Sequence, residues 1–414
     1  MRSYALVGAG NRGTYMFAVP IARDYGDVAT IVGVYDANVK RSELLRTRTG
    51  GQFPVYTSFD ALLAEAKPDV VIVTSIDSTH HVYILQALRA GCDVITEKPL
   101  TIDEDKCNQI LHTERQTGKK VTVTFNLRYM PFMNRLKDIS RENSLGTVTQ
   151  VHFEWFLDTK HGADYFRRWH RKKANSGGLL VHKSTHHFDI ANWLLEDEPA
   201  SVHAFGATRF YGPTREERGT RCSDCSFAGT CEFYIDLNQG NYRALYLACE
   251  QEDRYYRDQC VFADEIDIED TLSVNVGYAG GAMMSYSLTA YAPYEGFRMV
   301  LTGTNGRLEA EYYDGAIGPY AGTPVQRIRL FNREQKIIDM PLQVESGDHG
   351  GGDGRLLRAL MRGSDPNDPR QANSWDGAMS CAIGFAANRS IREGKAVRIA
   401  ELFEEMPEEE QHEH

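Results

Sequence analysis

The stretch VGAGNRG (7–13) decides the fold of the first part of this chain, because it carries three glycines at a defined spacing. Gly8, Gly10 and Gly13 fit the pattern G-x-G-x-x-G, between the strand-like run YALV (4–7) and a segment with helical spacing. Such a turn lets backbone N–H groups and the N-terminus of the following helix approach a pyrophosphate. Ordinary glycine-rich turns with a helix cap also fit this pattern, so other residues must support the interpretation.

Asp36 supports a dinucleotide site, because it ends the second strand-like run, 23 residues beyond Gly13. A carboxylate at this position can bind the two hydroxyl groups of a ribose. The same carboxylate would repel the 2′-phosphate of NADP, and NAD is therefore the favoured cofactor. Lys40 and Arg41 follow closely enough to weaken this preference.

Short β-branched runs alternate with helical stretches from residue 1 to about residue 124. The runs are YALV (4–7), TIVGVY (30–35), VVIVTS (70–75), DVIT (93–96) and VTVTF (121–125). Apolar strands joined by helices indicate a parallel sheet that is covered on both faces. We therefore predict an α/β chain whose N-terminal domain, residues 1–124, is a doubly wound Rossmann domain that binds NAD.

Longer strands with alternating polarity follow residue 146, and polar turns separate them. They are VTQVHFEWF (148–156), SVNVGYA (273–279), MMSYSLTAY (283–291) and RIRLF (327–331). This pattern predicts a C-terminal α+β domain, residues 125–414, with a large, mostly antiparallel open sheet for substrate binding and oligomerisation. A last helix is predicted from Ser374 to Glu393, with Gly394 as its C-cap.

Composition excludes several classes of partner. The 414 residues include 46 Lys and Arg against 57 Asp and Glu, a net charge of −11 that does not favour nucleic acid. No window approaches the roughly 20 apolar residues of a membrane span, so we expect no membrane partner. The first residues show no secretory signal, and we therefore expect a cytoplasmic location.

A cysteine cluster lies in a polar insertion at about residues 212–262. Cys222, Cys225 and Cys231 are closely spaced, Cys260 is the favoured fourth ligand, and Cys249 is the alternative. Four thiolates bind zinc tetrahedrally in a closed, structural site, and we predict such a site here. Reduced thiols without a ligand and an iron–sulfur cluster are the alternatives.

The turn Glu97-Lys98-Pro99 follows the strand DVIT, at the edge where open α/β folds bind ligands. At this point the chain resembles the Gfo/Idh/MocA superfamily, which is named after glucose–fructose oxidoreductase and inositol dehydrogenase. The resemblance covers nearly the whole chain, and its specificity comes from the order of several motifs. They are the GxGxxG turn, Thr74 and His80 in T-x-x-x-x-x-H, Glu97-Lys98-Pro99, Asn126-x-Arg128, and GGLLVHKSTHHFD (177–189).

The resemblance implies a Rossmann domain followed by an α/β domain with an open, largely antiparallel sheet. It also implies an NAD site on the matching residues. We predict that this site consists of Gly8, Gly10, Asn11, Arg12, Gly13, Asp36, Thr74, His80, Glu97, Lys98 and Asn126.

The family supplies its catalytic groups from the lysine, which orients a substrate hydroxyl, and from a D-x-x-x-H segment. The matching positions are His182 and His186, so the catalytic histidine is kept and the aspartate is replaced. With Asp189 they have the spacing of one helical face. We expect His186 to act as general base beside Lys98, and His182 to orient groups or relay a proton. Alternatively, His182 is a hydrogen-bonded packing residue; a metal-binding histidine pair is disfavoured by the Lys183 cation.

The loop HGADYFRRWHR (161–171) combines aromatic and cationic side chains just before these histidines. Aromatic faces stack on sugar rings, whereas arginine and histidine bind hydroxyls or a carboxylate. We predict that substrate contacts Tyr165, Arg167, Trp169, His170 and Lys183, and the alternative is a surface loop held by its aromatic residues. GDHGGGD (347–353), with His349 and Asp353, either closes over the pocket or is a simple loop with a helix N-cap.

These residues predict an NAD-dependent dehydrogenase that acts on a CH–OH group of a sugar, sugar derivative or polyol. The alternative is a glycosidase of the same fold, which oxidises a sugar carbon transiently, eliminates the aglycone and returns the hydride. A third hypothesis is a nucleotide-binding regulator without catalysis. The family resemblance further implies a homodimer or homotetramer.

Overall fold

A computed structural model describes residues 1–142, 144–315, 318–342, 348–363 and 368–403, without the side chains of 348 and 349. Within these ranges the strands form two sheets. The strands of the first are β1 (Arg2–Val7), β2 (Ala29–Tyr35), β3 (Val55–Tyr56), β4 (Val70–Val73), β5 (Asp93–Thr96) and β6 (Val121–Val123). These strands are parallel, and their spatial order is β6-β5-β4-β1-β2-β3, which is the predicted doubly wound arrangement.

The second sheet follows residue 146 and is mostly antiparallel, as predicted. Its strands are β7 (Val148–Asp158), β8 (Pro199–Ala207), β9 (Thr271–Tyr278), β10 (Met283–Ala292), β11 (Gly296–Gly303), β12 (Gly306–Tyr313), β13 (Val325–Asn332), β14 (Ile337–Asp339) and β16 (Val397–Arg398). Their order is β14-β13-β12-β11-β7-β10-β9-β8-β16. Among the strand pairs described, β7 and β10 are parallel and the others in this sheet are antiparallel.

A short strand connects the two parts of the chain. β15 (Ala372–Asn373) comes late in the sequence, yet it pairs antiparallel with β6 at the edge of the first sheet. The boundary that we place at residue 124 stays a prediction.

Helices cover the first sheet and one face of the second. They are α1 (Val19–Asp24), α2 (Val39–Thr49), α3 (Phe59–Ala66), α4 (His80–Arg89), α5 (Glu104–Thr117), α6 (Pro131–Arg141), α7 (Thr159–Arg167), α8 (Lys173–Ser176), α9 (Leu179–His182), α10 (Thr185–Leu195), α11 (Gly240–Tyr242), α12 (Glu250–Asp253), α13 (Gly352–Arg362) and α14 (Ser374–Glu393). Shorter or π-wound segments are Arg12–Ala18, Asp77–Thr79, Asn126–Tyr129, Trp169–Arg171, Cys222–Asp224, Arg243–Leu247, Gly318–Tyr320, Asp348–Gly351 and Ile399–Glu401.

α14 is the central helix of the structure, because it packs against β8, α9 and α10 of the second part and against α5 and β6 of the first. Its predicted bounds are confirmed. Asn373 caps the N-terminus in a capping box with Asp376, and Gly394 ends the helix in the left-handed region. None of the helices in the described ranges is long and apolar enough to cross a membrane.

The insertion occupies the connection between β8 and β9. Tyr211, Phe233 and Phe262 are buried in it and join the main hydrophobic core. The guanidinium of Arg215 lies 3.5 Å from the centre of the Phe262 ring, and Arg221 pairs with Glu250 at 2.8 Å. Apolar contacts and ion pairs therefore hold the insertion in place.

The predicted zinc site is not supported by the geometry. In the part of the chain that the structure describes, no three His, Cys, Asp or Glu side chains are grouped as metal ligands. The cysteine sulfurs have separate surroundings: Cys222 Sγ lies 3.9 Å from the Phe233 carbonyl oxygen, whereas Cys231 Sγ lies 3.4 Å from an Arg215 nitrogen. Cys225 and Cys260 are likewise free thiols.

Candidate active site

The glycine turn after β1 has the close backbone packing of a pyrophosphate site. Gly8 has φ +92°, and a Cβ at Gly13 would lie 2.1 Å from the Gly8 carbonyl oxygen. A Cβ at Gly10 would meet nothing within 4 Å, so the backbone there is open to a ligand. Thr74 Oγ1 donates a hydrogen bond of 2.7 Å to the Gly8 carbonyl and ties the turn to the end of β4. The turn therefore fits the diphosphate of a dinucleotide.

Asp36 follows β2 and lies beside this turn. Its carboxylate accepts hydrogen bonds from the N–H groups of Ala9 at 2.6 Å and Asn38 at 2.7 Å. Burial raises the pKa of Asp36, while the two N–H groups and the nearby Arg41 oppose this rise. These bonds fix the carboxylate at the place where Rossmann folds bind the adenosine ribose.

A hydrogen-bonded network joins the glycine turn to the Glu97-Lys98-Pro99 turn and to α13. Arg12 donates to Glu97 Oε1 at 2.7 and 3.0 Å and to Asp353 Oδ2 at 2.9 Å. Asn126 Nδ2 donates to Asp353 Oδ1 at 2.6 Å. Asp353 thus belongs to this network, whereas the side chain of His349 lies outside the described residues. The cofactor roles of Asn11, Arg12, Glu97 and Asn126 stay predictions.

His80 positions the turn that carries Lys98. The buried ring has Nδ1 2.9 Å from the Pro99 carbonyl oxygen and Nε2 3.2 Å from the Ser75 carbonyl oxygen. It therefore connects the turn after β4 to the turn after β5. The Lys98–Pro99 peptide bond is cis.

Three titratable groups, the buried Asp77 and His182 and the half-buried Lys98, form a series of hydrogen-bonded contacts between the two parts of the molecule. His182 Nδ1 lies 2.5 Å from Asp77 Oδ2, and His182 Nε2 lies 3.4 Å from Lys98 Nζ. Lys98 Nζ also donates a hydrogen bond of 2.9 Å to the His182 carbonyl oxygen. Burial lowers the pKa of Lys98 to about 8, lowers the pKa of His182 and raises the pKa of Asp77. These hydrogen-bonded contacts can orient the Lys98 amine and transfer a proton between the three groups.

Asp77 is the residue that our sequence analysis missed. The family's aspartate is replaced by His182, but a carboxylate reaches this place from the loop after β4 in the other domain. Asp77 lies within the T-x-x-x-x-x-H motif, three residues before His80. Its position beyond the carboxyl end of a parallel strand was the signal that could have identified it.

A helical face shared by His182, His186 and Asp189 requires one continuous helix, and the structure has two, with only His186 and Asp189 in the same one. α9 ends at His182 and α10 begins at Thr185, so the chain turns between them. Ser184 lies in this turn, and its hydroxyl is 3.0 Å from the hydroxyl of Tyr286. As a result, His182 contacts Lys98 and Asp77, whereas His186 lines a neighbouring cavity.

The cavity beside His186 has a volume of about 990 Å³, which is large enough for a sugar. Trp155, Lys183 and Glu295 are also part of its lining. Lys183 Nζ lies 5.1 Å from the centre of the Trp155 ring, and His161 Nδ1 lies 3.1 Å from Glu295 Oε1. Aromatic faces and charged hydrogen-bonding groups in one cavity suit a polyhydroxylated ligand.

The side chains of the aromatic loop, residues 161–171, lie in two places: some line this cavity and others contact His182. Arg167 lines the cavity, together with Lys183. Trp169 stacks on His170 with ring centres 3.6 Å apart, and the His170 ring lies 4.1 Å from that of His182. Tyr165 contacts the same two histidine rings, each at 5.5 Å. Tyr165, Trp169 and His170 therefore surround His182, and their contact with substrate stays a prediction.

Asp189 forms a buried ion pair with Arg128 and does not line the cavity. Its two oxygens accept from Arg128 Nη2 at 2.6 Å and Nε at 2.9 Å, and both side chains are at most 3% exposed. This pair fixes α10, which carries His186, against the segment Asn126–Tyr129.

Comparison with known proteins shows the family. Residues 2–125 match the oxidoreductase family model for the NAD-binding Rossmann fold, GFO_IDH_MocA, and residues 138–399 match its C-terminal alpha/beta domain. The chain belongs to the Gfo/Idh/MocA oxidoreductase family. The predicted fold class and the predicted enzyme class are confirmed.

Several relatives of this Gfo/Idh/MocA protein carry informative names. A Bacillus subtilis (strain 168) protein named as an oxidoreductase, YteT, is 37% identical over 98% of this chain and 99% of its own length. The D-glucoside 3-dehydrogenase of Escherichia coli (strain K12) is 26% identical over 49% of this chain and 59% of its own length. An Agrobacterium radiobacter oxidoreductase, solved with NAD+, L-tartaric acid and magnesium, is 17% identical over 97% of this chain and 99% of its own, with a TM-score of 0.66.

We expect Asp36→Ser to narrow the difference between the affinities for NAD and NADP. The substitution removes the charge that repels a 2′-phosphate, and it also removes a ribose acceptor, so NAD should bind less tightly. Titration of the unmutated protein and the variant with both cofactors measures this. Equal affinities in the unmutated protein would contradict the prediction.

Proposed function

We propose that this protein is an NAD-dependent dehydrogenase that oxidises a CH–OH group of a small carbohydrate or polyol. The observation that supports this most is the placement of Lys98 beside the His182–Asp77 pair, in the turn whose Glu97 accepts hydrogen bonds from Arg12 of the glycine turn. Bound NAD would supply the hydride acceptor. The names of the dehydrogenase relatives agree with a sugar or inositol substrate.

Lys98 would hold the reacting oxygen and stabilise the negative charge that develops on it. His182 and Asp77 would orient its amine. His186, which lines the cavity, would accept the hydroxyl proton as general base. Lys183 and Arg167 would bind the remaining hydroxyl groups from the cavity wall.

Incubation of the protein with NAD and a panel of sugars, polyols and glycosides tests the function. NADH absorbance and product masses are followed together. Net NADH with an intact carbon skeleton supports the dehydrogenase. Glycoside cleavage without net NADH would overturn it in favour of the redox-neutral glycosidase, and binding without either reaction would favour the regulator.

We expect the activity to fall as pH rises through about 8, because burial lowers the pKa of Lys98 to about that value and the charged amine is the working form. Lys98→Arg should move this alkaline limb to higher pH, because a guanidinium keeps its charge there. The measurement is kcat/KM against pH for both proteins. An alkaline limb at the same pH in Lys98→Arg would assign it to another group.

A homodimer or homotetramer and a cytoplasmic location stay predictions. Sedimentation of the purified protein and localisation of a tagged chain test them independently of the chemistry.

A further inference from the structure

The insertion between β8 and β9 contacts the first domain at the adenosine end of the dinucleotide site. Asn38 Nδ2 donates a hydrogen bond of 2.8 Å to the carbonyl oxygen of Cys249, and the N–H of the same Asn38 donates to Asp36. Arg41 Nε donates to the carbonyl oxygen of Leu245 at 3.1 Å. A single residue, Asn38, therefore connects the ribose-binding carboxylate to the backbone of the insertion.

Two carboxylates of α12 pair with the two cations that follow Asp36. Glu252 Oε1 lies 2.8 Å from Lys40 Nζ, and Asp253 accepts from Arg41 Nη1 at 2.5 Å and Nη2 at 3.3 Å. Arg41 is only 7% exposed. In NADP-binding Rossmann folds a cation in this region binds the 2′-phosphate, but here both candidate cations are already paired.

We propose that Glu252 and Asp253 are specificity residues that select NAD over NADP by engaging Lys40 and Arg41. The 2′-phosphate of NADP would bring a further negative charge close to Asp36, whose pKa is already raised by burial and by the charge of Asp253. To bind NADP, the protein would have to break ion pairs that NAD leaves intact. The proposal concerns the dinucleotide site alone, so it holds or fails independently of the sugar chemistry.

The test is a double variant, Glu252→Gln with Asp253→Asn, titrated calorimetrically with NAD and with NADP. Both substitutions keep the side-chain shape and remove the charge, so the ion pairs that hold Lys40 and Arg41 are lost, while the hydrogen bond from Arg41 to the Leu245 carbonyl stays. We expect NADP to bind about tenfold to a hundredfold more tightly, and NAD to change by less than about threefold. The matched control is Asp264→Asn, because Asp264 pairs with Arg218 inside the insertion.

A reversing variant checks that the released cations cause the gain. Lys40→Gln with Arg41→Gln, added to the double variant, should return NADP affinity to its original value. If the double variant does not fold, Glu252→Gln alone replaces it, because both members of the Lys40–Glu252 pair are largely exposed. That single change should still strengthen NADP binding by several fold.

Unchanged NADP affinity in the folded double variant, or in Glu252→Gln, would overturn the proposal. Asp36 alone would then account for the preference for NAD over NADP. A gain that survives the loss of both Lys40 and Arg41 would also overturn it. A gain in the Asp264→Asn control would show a general charge effect and count against the assigned residues.

Discussion

Lys98→Ala should lower kcat by roughly 10²–10⁴-fold, the usual contribution of a positioned acid–base group. The amine lies within 3.4 Å of His182 Nε2 and 2.9 Å of its carbonyl oxygen, so alanine removes the group and leaves its neighbours in place. His186→Ala should have an effect of the same order if it accepts the proton. Two quantities are measured for each variant. One is the single-turnover rate of NAD reduction with the substrate identified in the panel of sugars, polyols and glycosides, and the other is the affinity for NAD.

NAD affinity should change by less than about threefold in both variants, because we expect the glycine turn and Asp36, which both variants keep, to supply the pyrophosphate and ribose contacts. Lys336→Ala is the matched control, since Lys336 pairs with Glu334 on an exposed turn. Full turnover in His186→Ala would refute the assignment of the general base. Full turnover in Lys98→Ala would refute the role of the amine.

His182→Asp introduces the aspartate that the family carries at this position, and it tests whether the His182–Asp77 pair orients Lys98. A second carboxylate would then face Asp77, and like charges in a buried site raise a pKa. We expect substantial activity with a shifted pH profile if His182 acts by orienting Lys98. Loss of glycoside cleavage with continued hydride exchange would instead indicate a dedicated proton donor.

Arg128→Met should lower the free energy of unfolding by about 3–5 kcal/mol, because it leaves Asp189 buried without its partner. The two side chains are 3% and 1% exposed, and their bonds are 2.6 and 2.9 Å long. Urea denaturation followed by circular dichroism measures the change. Arg23→Met is the exposed control, since Arg23 pairs with Asp24 at the surface and its loss should leave the free energy of unfolding almost unchanged.

A double variant distinguishes the ion pair from simple packing. Arg128→Met with Asp189→Leu removes the two buried charges and leaves only Asp376, a part-exposed carboxylate that also pairs with Arg128 at 3.1 Å, so it should recover part of the lost stability. If the double variant is as unstable as Arg128→Met, the loss comes from packing around Trp193 and Phe125, whose rings lie 5.9 Å from the guanidinium. If Arg128→Met is as stable as the unmutated protein, the Arg128–Asp189 pair contributes nothing to the free energy of unfolding.

The parts of the fold that depend on local pattern were predictable. The strand at 93–96 has the predicted bounds because it is short, contains the β-branched residues Val94, Ile95 and Thr96, and is bounded by turn residues. α14 has its predicted ends because its C-cap is a glycine that adopts the left-handed region.

The parts that depend on contacts across the molecule were not predictable. The break between His182 and Thr185 was hidden by a regular i, i+4 spacing, since Ser184 interacts with the distant Tyr286. Asp77 reaches His182 from 105 residues away, and one sequence cannot show that distance in space. The cysteines have a spacing typical of zinc ligands, but the spacing does not show that Arg167 contacts the Cys222 sulfur and that Arg215 contacts the Cys231 sulfur.

The two-residue strand β15 has a consequence for how the molecule is made. It completes the edge of the Rossmann sheet, yet it is translated some 250 residues after β6, the strand with which it pairs. During synthesis the first domain therefore leaves the ribosome with β6 as an open edge, which is a surface for pairing with other chains. Truncation before Ala372 would make that exposure permanent and would also remove α14, which packs against β6 and α5, so we expect such N-terminal fragments to aggregate.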